Sequence, residues 1–392
     1  MRELAGIALP YIAEGFDPSN IRRIAVDFDG VISSASKPFY EAISQAVDRY
    51  YNAILGLEGQ GGLVSHGDIS AMKGTGLFNN DWDLTRILIA YYLALAYREL
   101  EGRGAAEGFL LRLGRGSPGD PIGWLKGLGG YMRSEGIDLG GLAEAKREFP
   151  IGALASKLGA GGLGGEGAID GVVGFVMPRG GGELARALRR LVGFDAERID
   201  LVRELFEEIY LGPSLYRRFY GREPPIGLGG GREGLMALER PLPTKEALRR
   251  LSNAFGRLGI YSERPRAQAE YLLENWGLSD AFDLSSSAFV EDIANCASLA
   301  GAPRSAMGKP NPRPFLKFLE SFSGDLDAIY VGDSPSDLHL VSNARAMGRE
   351  GISFAGVLSD CEDPGGTARA FRRGGASAIM WDLNQLPEVL GV

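Results

Sequence analysis

Four short stretches of the chain carry side chains that together can move a phosphoryl group: Asp27-Phe28-Asp29-Gly30, Ser262, Lys309 and Gly332-Asp333-Ser334-Pro335-Ser336-Asp337. A carboxylate at Asp27 is a nucleophile toward phosphorus and would carry the group as an acyl phosphate. Asp29 follows two residues later, and side chains so spaced at the end of a strand point to the same side. A second carboxylate there can protonate a leaving oxygen and then deprotonate water. Gly30 lets the chain turn tightly beside a ligand. Asp333 and Asp337 add oxygen ligands for a hard divalent cation, Mg2+, which would offset repulsion between nucleophile and phosphate. Lys309, fixed between Gly308 and Pro310, supplies a positioned cation, and the Ser262 hydroxyl with nearby N–H groups can hold phosphoryl oxygens. Taken singly, each stretch has a plainer reading: an Asp-Gly turn, a helix cap at Ser262 or Ser334, a surface lysine. Their conjunction in one order, each at a strand end or helix start, favours the chemical reading.

The elements that must position these residues are legible on either side of a long interruption. Arg23 to Phe28 is an apolar run closed by Asp-Gly, a buried strand ending in a turn. From Pro241 onward the pattern alternates. Thr244 caps a helix to about Leu258; strands at Gly259–Ser262, Ala281–Leu284, Ala328–Val331, Ile352–Val357 and Ala376–Trp381 are interleaved with helices at Arg266–Trp276, near Arg313–Ser321 and at Ser336–Met347. Such βαβ alternation predicts a parallel sheet whose strand C-termini share one edge, where ligands of open α/β sheets bind. The predicted fold class is therefore α/β: a Rossmann-like core with a parallel sheet, and a mainly helical domain inserted after its first strand. The boundaries read as residues 1–33 and 240–392 for the core and 34–239 for the insertion.

Within the insertion, Phe39, Ile43, Val47, Tyr50 and Ile54 recur at helical spacing, Asp83 to Glu99 reads as a buried helix, and Ile199, Val202, Phe206 and Ile209 mark another. Between Gly159 and Gly182, 11 of 24 residues are glycine, which predicts loop because glycine loses the most backbone freedom on ordering. Gly227 to Gly234 reads as a flexible connector.

Composition narrows the partners. At 392 residues with 45% apolar side chains the chain can bury a large core, and a net charge of −8 argues against a nucleic-acid surface. The most apolar run, Ile87 to Tyr97, is too short to span a bilayer, so no membrane partner is expected. Cys296 and Cys361 form no paired framework and the N-terminus has no long apolar stretch, which predicts a cytoplasmic protein, monomeric or homodimeric. His66 and His339 are too few and too scattered for a histidine metal site.

The four motifs, in this order and across both core segments, resemble those of the haloacid dehalogenase (HAD) superfamily, and Ile260-Tyr261-Ser262-Glu263-Arg264-Pro265-Arg266 is similar to the second motif of its phosphoglycolate-phosphatase-like members. The resemblance implies Asp27 as nucleophile, Asp29 as general acid and base, and Lys309 and Ser262 on the phosphoryl group. It implies Glu263 and Gly30 on the substrate side, and Mg2+ held by Asp333 with Asp27, the Asp29 carbonyl and Asp337 in support. The insertion resembles the helical cap of subfamily I, enlarged, and Lys73, Asn79, Asn80 and Asp81 in it are candidate leaving-group contacts, with Trp82 a packing anchor. The expected activity is Mg2+-dependent hydrolysis of a small phosphorylated metabolite through an aspartyl phosphate. A phosphomutase or phosphotransferase acting on a sugar phosphate and a non-catalytic Mg2+-binding protein are the alternatives. A dehalogenase fits less well, because displacing halide from carbon needs no acid at Asp29.

Overall fold

The computed structural model describes residues 2–78, 80–114, 119–192, 200–227, 233–302 and 306–392. The chain folds as two compact units, one made of Met1–Lys37 with Glu239–Val392 and the other of Pro38–Leu238.

The two-segment unit is built on eight strands: β1 (Arg2–Leu4), β2 (Ile7–Leu9), β3 (Tyr11–Ile12), β4 (Arg23–Val26), β5 (Gly259–Ile260), β6 (Ala328–Gly332), β7 (Ile352–Val357) and β8 (Ala378–Met380). β1 and β2 form an antiparallel hairpin, and the others make a six-stranded sheet in the order β3-β8-β7-β6-β4-β5. All its pairings are parallel except β3 with β8. The central β6, Ala-Ile-Tyr-Val-Gly, is buried at every position, as expected of a parallel strand covered on both faces.

Register does the positioning. Val26 pairs with Val331 on one side and Ile260 on the other. Asp27, Ser262 and Asp333, each one or two residues beyond those positions, therefore leave the sheet along the same edge. The Asp27 N–H donates to the Val331 carbonyl (2.8 Å) and the Tyr261 N–H to the Val26 carbonyl (3.0 Å), so the ladder continues into the turns. Beneath them an aromatic group of Tyr261, Phe315, Phe318 and Tyr330 packs in mutual contact.

The helices at Lys245–Phe255, Arg266–Trp276, Pro312–Phe322 and Pro335–Ala346 lie where the sequence places them, with Thr244 accepting from the Ala247 N–H as the cap of the first. Other expectations need correction. The predicted strand at Ala281–Leu284 is reduced to a single parallel bridge between Leu258 and Phe282. There Asp283 accepts from the Ser285 hydroxyl (2.6 Å) and the Ser286 N–H (3.3 Å), so a side-chain turn competes with the ladder. The helices Val290–Leu299 and Pro364–Arg373 and the N-terminal hairpin went unread.

The second unit is helical, with no strand among its described residues. Its longest helix, Asp81–Gly102, is buried almost all round. The glycine-rich stretch predicted as loop contains the helix Gly167–Val176, whose Ile169, Val172, Val173 and Val176 are buried. Apolar spacing overrode glycine entropy, and Gly171 is where the packing needs it, since a Cβ there would lie 2.2 Å from Leu158 Cδ2. The helix Leu201–Tyr220 bends at Gly212 (φ 69°), where the backbone of Gly234 crosses so closely that a Cβ would meet its nitrogen at 2.5 Å. Most of the connector from Gly227 to Gly234, and Ile199, lie outside the described residues.

Candidate active site

Four charged side chains converge at the C-terminal edge of β4 and β6. Lys309 Nζ lies 2.6 Å from Asp27 Oδ2 and 2.8 Å from Asp337 Oδ1, with its side chain only 1% exposed. Oxygens of Asp27, Asp333 and Asp337 all lie within 4.8 Å of one another. The second Asp27 oxygen accepts from the Phe28 N–H (2.7 Å).

Each member is held by a traceable local cause. Asp337 sits in the first turn of the helix Pro335–Ala346, and its Oδ2 accepts from the Ser334 N–H (3.1 Å) and hydroxyl (2.6 Å) while Ser334 caps the helix in return. Its Oδ1 receives Lys309 and the Tyr330 hydroxyl (3.3 Å), and Tyr330 also donates to the Tyr261 carbonyl (3.0 Å). The plainer reading of Asp337 as a capping residue and its chemical reading are thus both true, one oxygen each. Glu263 props the lysine loop, its Oε1 accepting from the Lys309 N–H at 2.5 Å. Gly30, at φ 73°, admits Asp333 closely: a Cβ there would stand 2.0 Å from Asp333 Oδ2. Ser262 is buried beyond β5, with its Oγ accepting from the Arg264 N–H (3.3 Å) and its own N–H donating to the Ala288 carbonyl (3.1 Å).

The electrostatics are unfavourable as they stand. Burial pushes the Asp27 carboxyl up to about 7 against the pull of Lys309, with Asp337 and Asp29 adding repulsion. Asp333 is driven well above the usual carboxylate range by burial and then by Asp337 and Asp27. Lys309 is held well above its ordinary value; burial opposes its charge, but Asp27 and Asp337 outweigh that. Three crowded carboxylates with one ammonium form an oxygen donor set short of positive charge, which is what a hard divalent ion fits. Asp27 takes one donor on each oxygen and keeps lone pairs for such an ion, as does Asp333 beside it; Asp337, whose two oxygens take four donors, stands behind them.

Asp29 is held apart from this cluster. Its Oδ1 accepts from Arg264 Nε (2.8 Å) and Nη2 (2.6 Å), and Arg264 Nη2 also donates to both oxygens of Glu239, at 3.1 and 3.0 Å. Neither Arg264 nor Glu239 was assigned a role from sequence. The partners are 25 to 235 residues apart, and no local pattern announces such a pairing. Tyr330, read only as a strand residue, is likewise part of the site.

In the helical unit, Asn80 caps the helix Asp81–Gly102 by accepting from the Asp83 N–H (3.1 Å), and Lys73 pairs with Asp81 at 2.7 Å. The Trp82 indole donates to Glu207 (2.9 Å), in keeping with a packing anchor. Asn79 lies outside the described residues.

No protein-family model matches the chain. A phosphoglycolate phosphatase of Rhodospirillum rubrum is 31% identical over 119 residues, covering 27% of this chain and 42% of that protein, so the chain matches well under two thirds of this relative's length. A structure solved by the Northeast Structural Genomics Consortium superposes with a TM-score of 0.62 over 95% of this chain and 98% of its own, at 19% identity, and this likeness is one of fold. A phosphatase of Thermococcus thioreducens is a looser likeness, with a TM-score of 0.45 and 20% identity over 90% of this chain and 99% of that one. Among the described residues no helix is long and apolar enough to cross a membrane.

Proposed function

We propose that this chain, whose core has the fold of the haloacid dehalogenase superfamily, is a Mg2+-dependent phosphatase that hydrolyses a small phosphorylated metabolite through an aspartyl phosphate on Asp27. The observation that carries the reading is the meeting of Asp27, Lys309, Asp333 and Asp337 at one strand edge. An Asp27 oxygen attacks phosphorus, and the bond to the ester oxygen breaks as Asp29 delivers a proton to it. Asp29, now a carboxylate, takes a proton from water, which attacks phosphorus and releases phosphate from Asp27. Lys309 orients Asp27 and faces the transferred group, and the Ser262 hydroxyl and adjoining N–H groups bind its oxygens. Asp27 and Asp333, with the Asp29 carbonyl and with Asp337 behind, would hold Mg2+, which supplies the positive charge that lets an anion approach. The alignment with a phosphoglycolate phosphatase supports a small-metabolite substrate. Lys73 and Asn80 are proposed as leaving-group contacts.

The test is phosphate release from a panel of phosphorylated metabolites and p-nitrophenyl phosphate, with Mg2+ and with EDTA, beside Asp27→Asn. Metal-dependent release that the variant lacks is expected. A variant that turns over at the wild-type rate would refute the assignment of Asp27, and a wild-type protein inert on every ester would refute the activity.

A further inference from the structure

Arg264 has no part in the chemistry above, yet it is among the most completely enclosed charges of the core unit, with its side chain 0% exposed. It stands on the Phe28 ring, 5.0 Å from the centroid. Its backbone is pinned by the Ser262 hydroxyl and by the Val290 N–H, which donates to its carbonyl at 3.3 Å. Both hydrogen bonds that it gives Asp29 land on Oδ1, one from Nε and one from Nη2. Two charge-assisted donors hold Oδ1 in place, and with the side chain tethered at its Cα this restricts where Oδ2 can lie. Oδ2 is left to exchange a proton, on a side chain that is 31% exposed and so reachable from the site.

The nitrogen Nη2, shared with Asp29, is fixed from a second direction as well. Glu239, its side chain 0% exposed, takes Nη2 on both oxygens and also accepts the Ser33 hydroxyl. The segments carrying Ser33 and Glu239 are tied together where the chain leaves and rejoins this unit: Ser34 N–H to Arg240 carbonyl and Leu242 N–H to Ile32 carbonyl, each 2.9 Å. The result is one hydrogen-bonded file, Ser33 to Glu239 to Arg264 to Asp29, buried except at its Asp29 end. A buried ion pair is a poor source of stability once its desolvation is counted, and Asp29, partly exposed, would be solvated without it. Stability alone does not account for an arginine placed here, whereas orientation of Asp29 does.

We infer that Arg264 is a positioning residue for the acid/base step, holding Asp29 by one oxygen so that the other faces the leaving group, and that Glu239 orients Arg264. This rests on the reading of Asp29 as acid and base.

The test compares two esters. p-Nitrophenyl phosphate expels p-nitrophenolate, a stable anion that needs no proton; an alkyl phosphate such as ethyl phosphate must expel an alkoxide, which does. Arg264→Lys keeps the charge but cannot place two donors on Oδ1 while reaching Glu239. The expected result is a fall of about 10-fold to 100-fold in the ratio of kcat/KM for the alkyl ester to that for the aryl ester, less than the roughly 10²-fold to 10⁴-fold that complete loss of general acid catalysis would cost. Glu239→Gln should show the same split, smaller, at about 3-fold to 10-fold. If Arg264→Lys does not fold, the double variant Arg264→Gln/Glu239→Gln removes both buried charges together and should show the split of Arg264→Lys. Folded variants that lose activity equally on both esters, or keep the wild-type ratio, would overturn the positioning role. A wild-type protein inert on both esters would instead defeat the phosphatase reading.

Discussion

Replacing Asp27 by asparagine should abolish turnover and make the metal-free protein more stable. The carboxyl moves from an ordinary 3.8 in the unfolded chain to about 7 in the folded one, chiefly because it is buried, with Lys309 opposing and Asp337 and Asp29 adding. Between those values the folded protein holds more protons than the unfolded one, so stability falls as pH rises through that window and the whole loss is present above it. A displacement of that size corresponds to roughly 4 kcal/mol. Asparagine carries no charge to desolvate, and it relieves Asp333 of one of the three like charges acting on it. Against this, Lys309 loses its nearer partner, keeping Asp337 at 2.8 Å. The net expectation is a variant more stable than wild type by about 1–3 kcal/mol at pH 8 in EDTA, with the difference shrinking toward pH 5. Urea unfolding followed by circular dichroism at both pH values measures it, and Mg2+ should then stabilise wild type more than the variant. A variant equal to or weaker than wild type at pH 8, or a difference that grows as pH falls, would refute the charge argument.

Lys309→Met should lower stability by about 3–5 kcal/mol at pH 8, because it leaves buried carboxylates uncompensated, and should abolish phosphate release; urea unfolding and the release assay check both. In Gly30→Ala the new methyl would stand 2.0 Å from Asp333 Oδ2 at φ 73°, so Asp333 must move. A Mg2+ titration of activity should show at least about a tenfold weaker requirement constant. Tyr330→Phe removes hydrogen bonds to the Tyr261 carbonyl (3.0 Å) and Asp337 (3.3 Å). It should cost about 1–2 kcal/mol in a melting or urea experiment and slow turnover by loosening the support of Lys309.

What was legible in the sequence divides by the range of the interaction that decides it. The strand before Asp27 and the strand before Asp333 announce themselves as apolar runs closed by Gly or Asp, because both faces of a parallel strand are covered. Helices with a strong cap or a clean apolar stripe, such as Lys245–Phe255 behind Thr244 and Arg266–Trp276, were likewise readable. The strand expected at Ala281–Leu284 failed because the Asp283 side chain turns the backbone locally. The helix Gly167–Val176 was hidden by its glycines, although Ile169, Val172, Val173 and Val176 stand at helical spacing. β1 and β2 are three residues each and lack any period long enough to read.

The site divides in the same way. Asp27, Lys309, Asp333 and Asp337 were found because each sits at the end of a readable element, so the topology alone brings them to one edge. Arg264 and Glu239 were not, because the side-chain pairings that join them to each other and to Asp29 span 25 to 235 residues of chain.

Charge balance explains why the two clusters are kept separate. Around Lys309 three carboxylates share a single ammonium, and burial holds Asp27 and Asp333 reluctant to ionise. On the proposed function, that shortage would make the cluster a receptor for a divalent ion, and through it for an anionic ester, in a chain of net charge −8 that has no basic surplus to attract one. If Asp29 belonged to the same cluster it would add a fourth negative charge there. Its pairing with Arg264 at 2.6 Å gives it a counter-charge of its own, and Glu239 accepts from the same nitrogen. On the proposed function, the arrangement would separate two tasks that both need carboxylates, attack on phosphorus and movement of protons, by giving each its own buried cation.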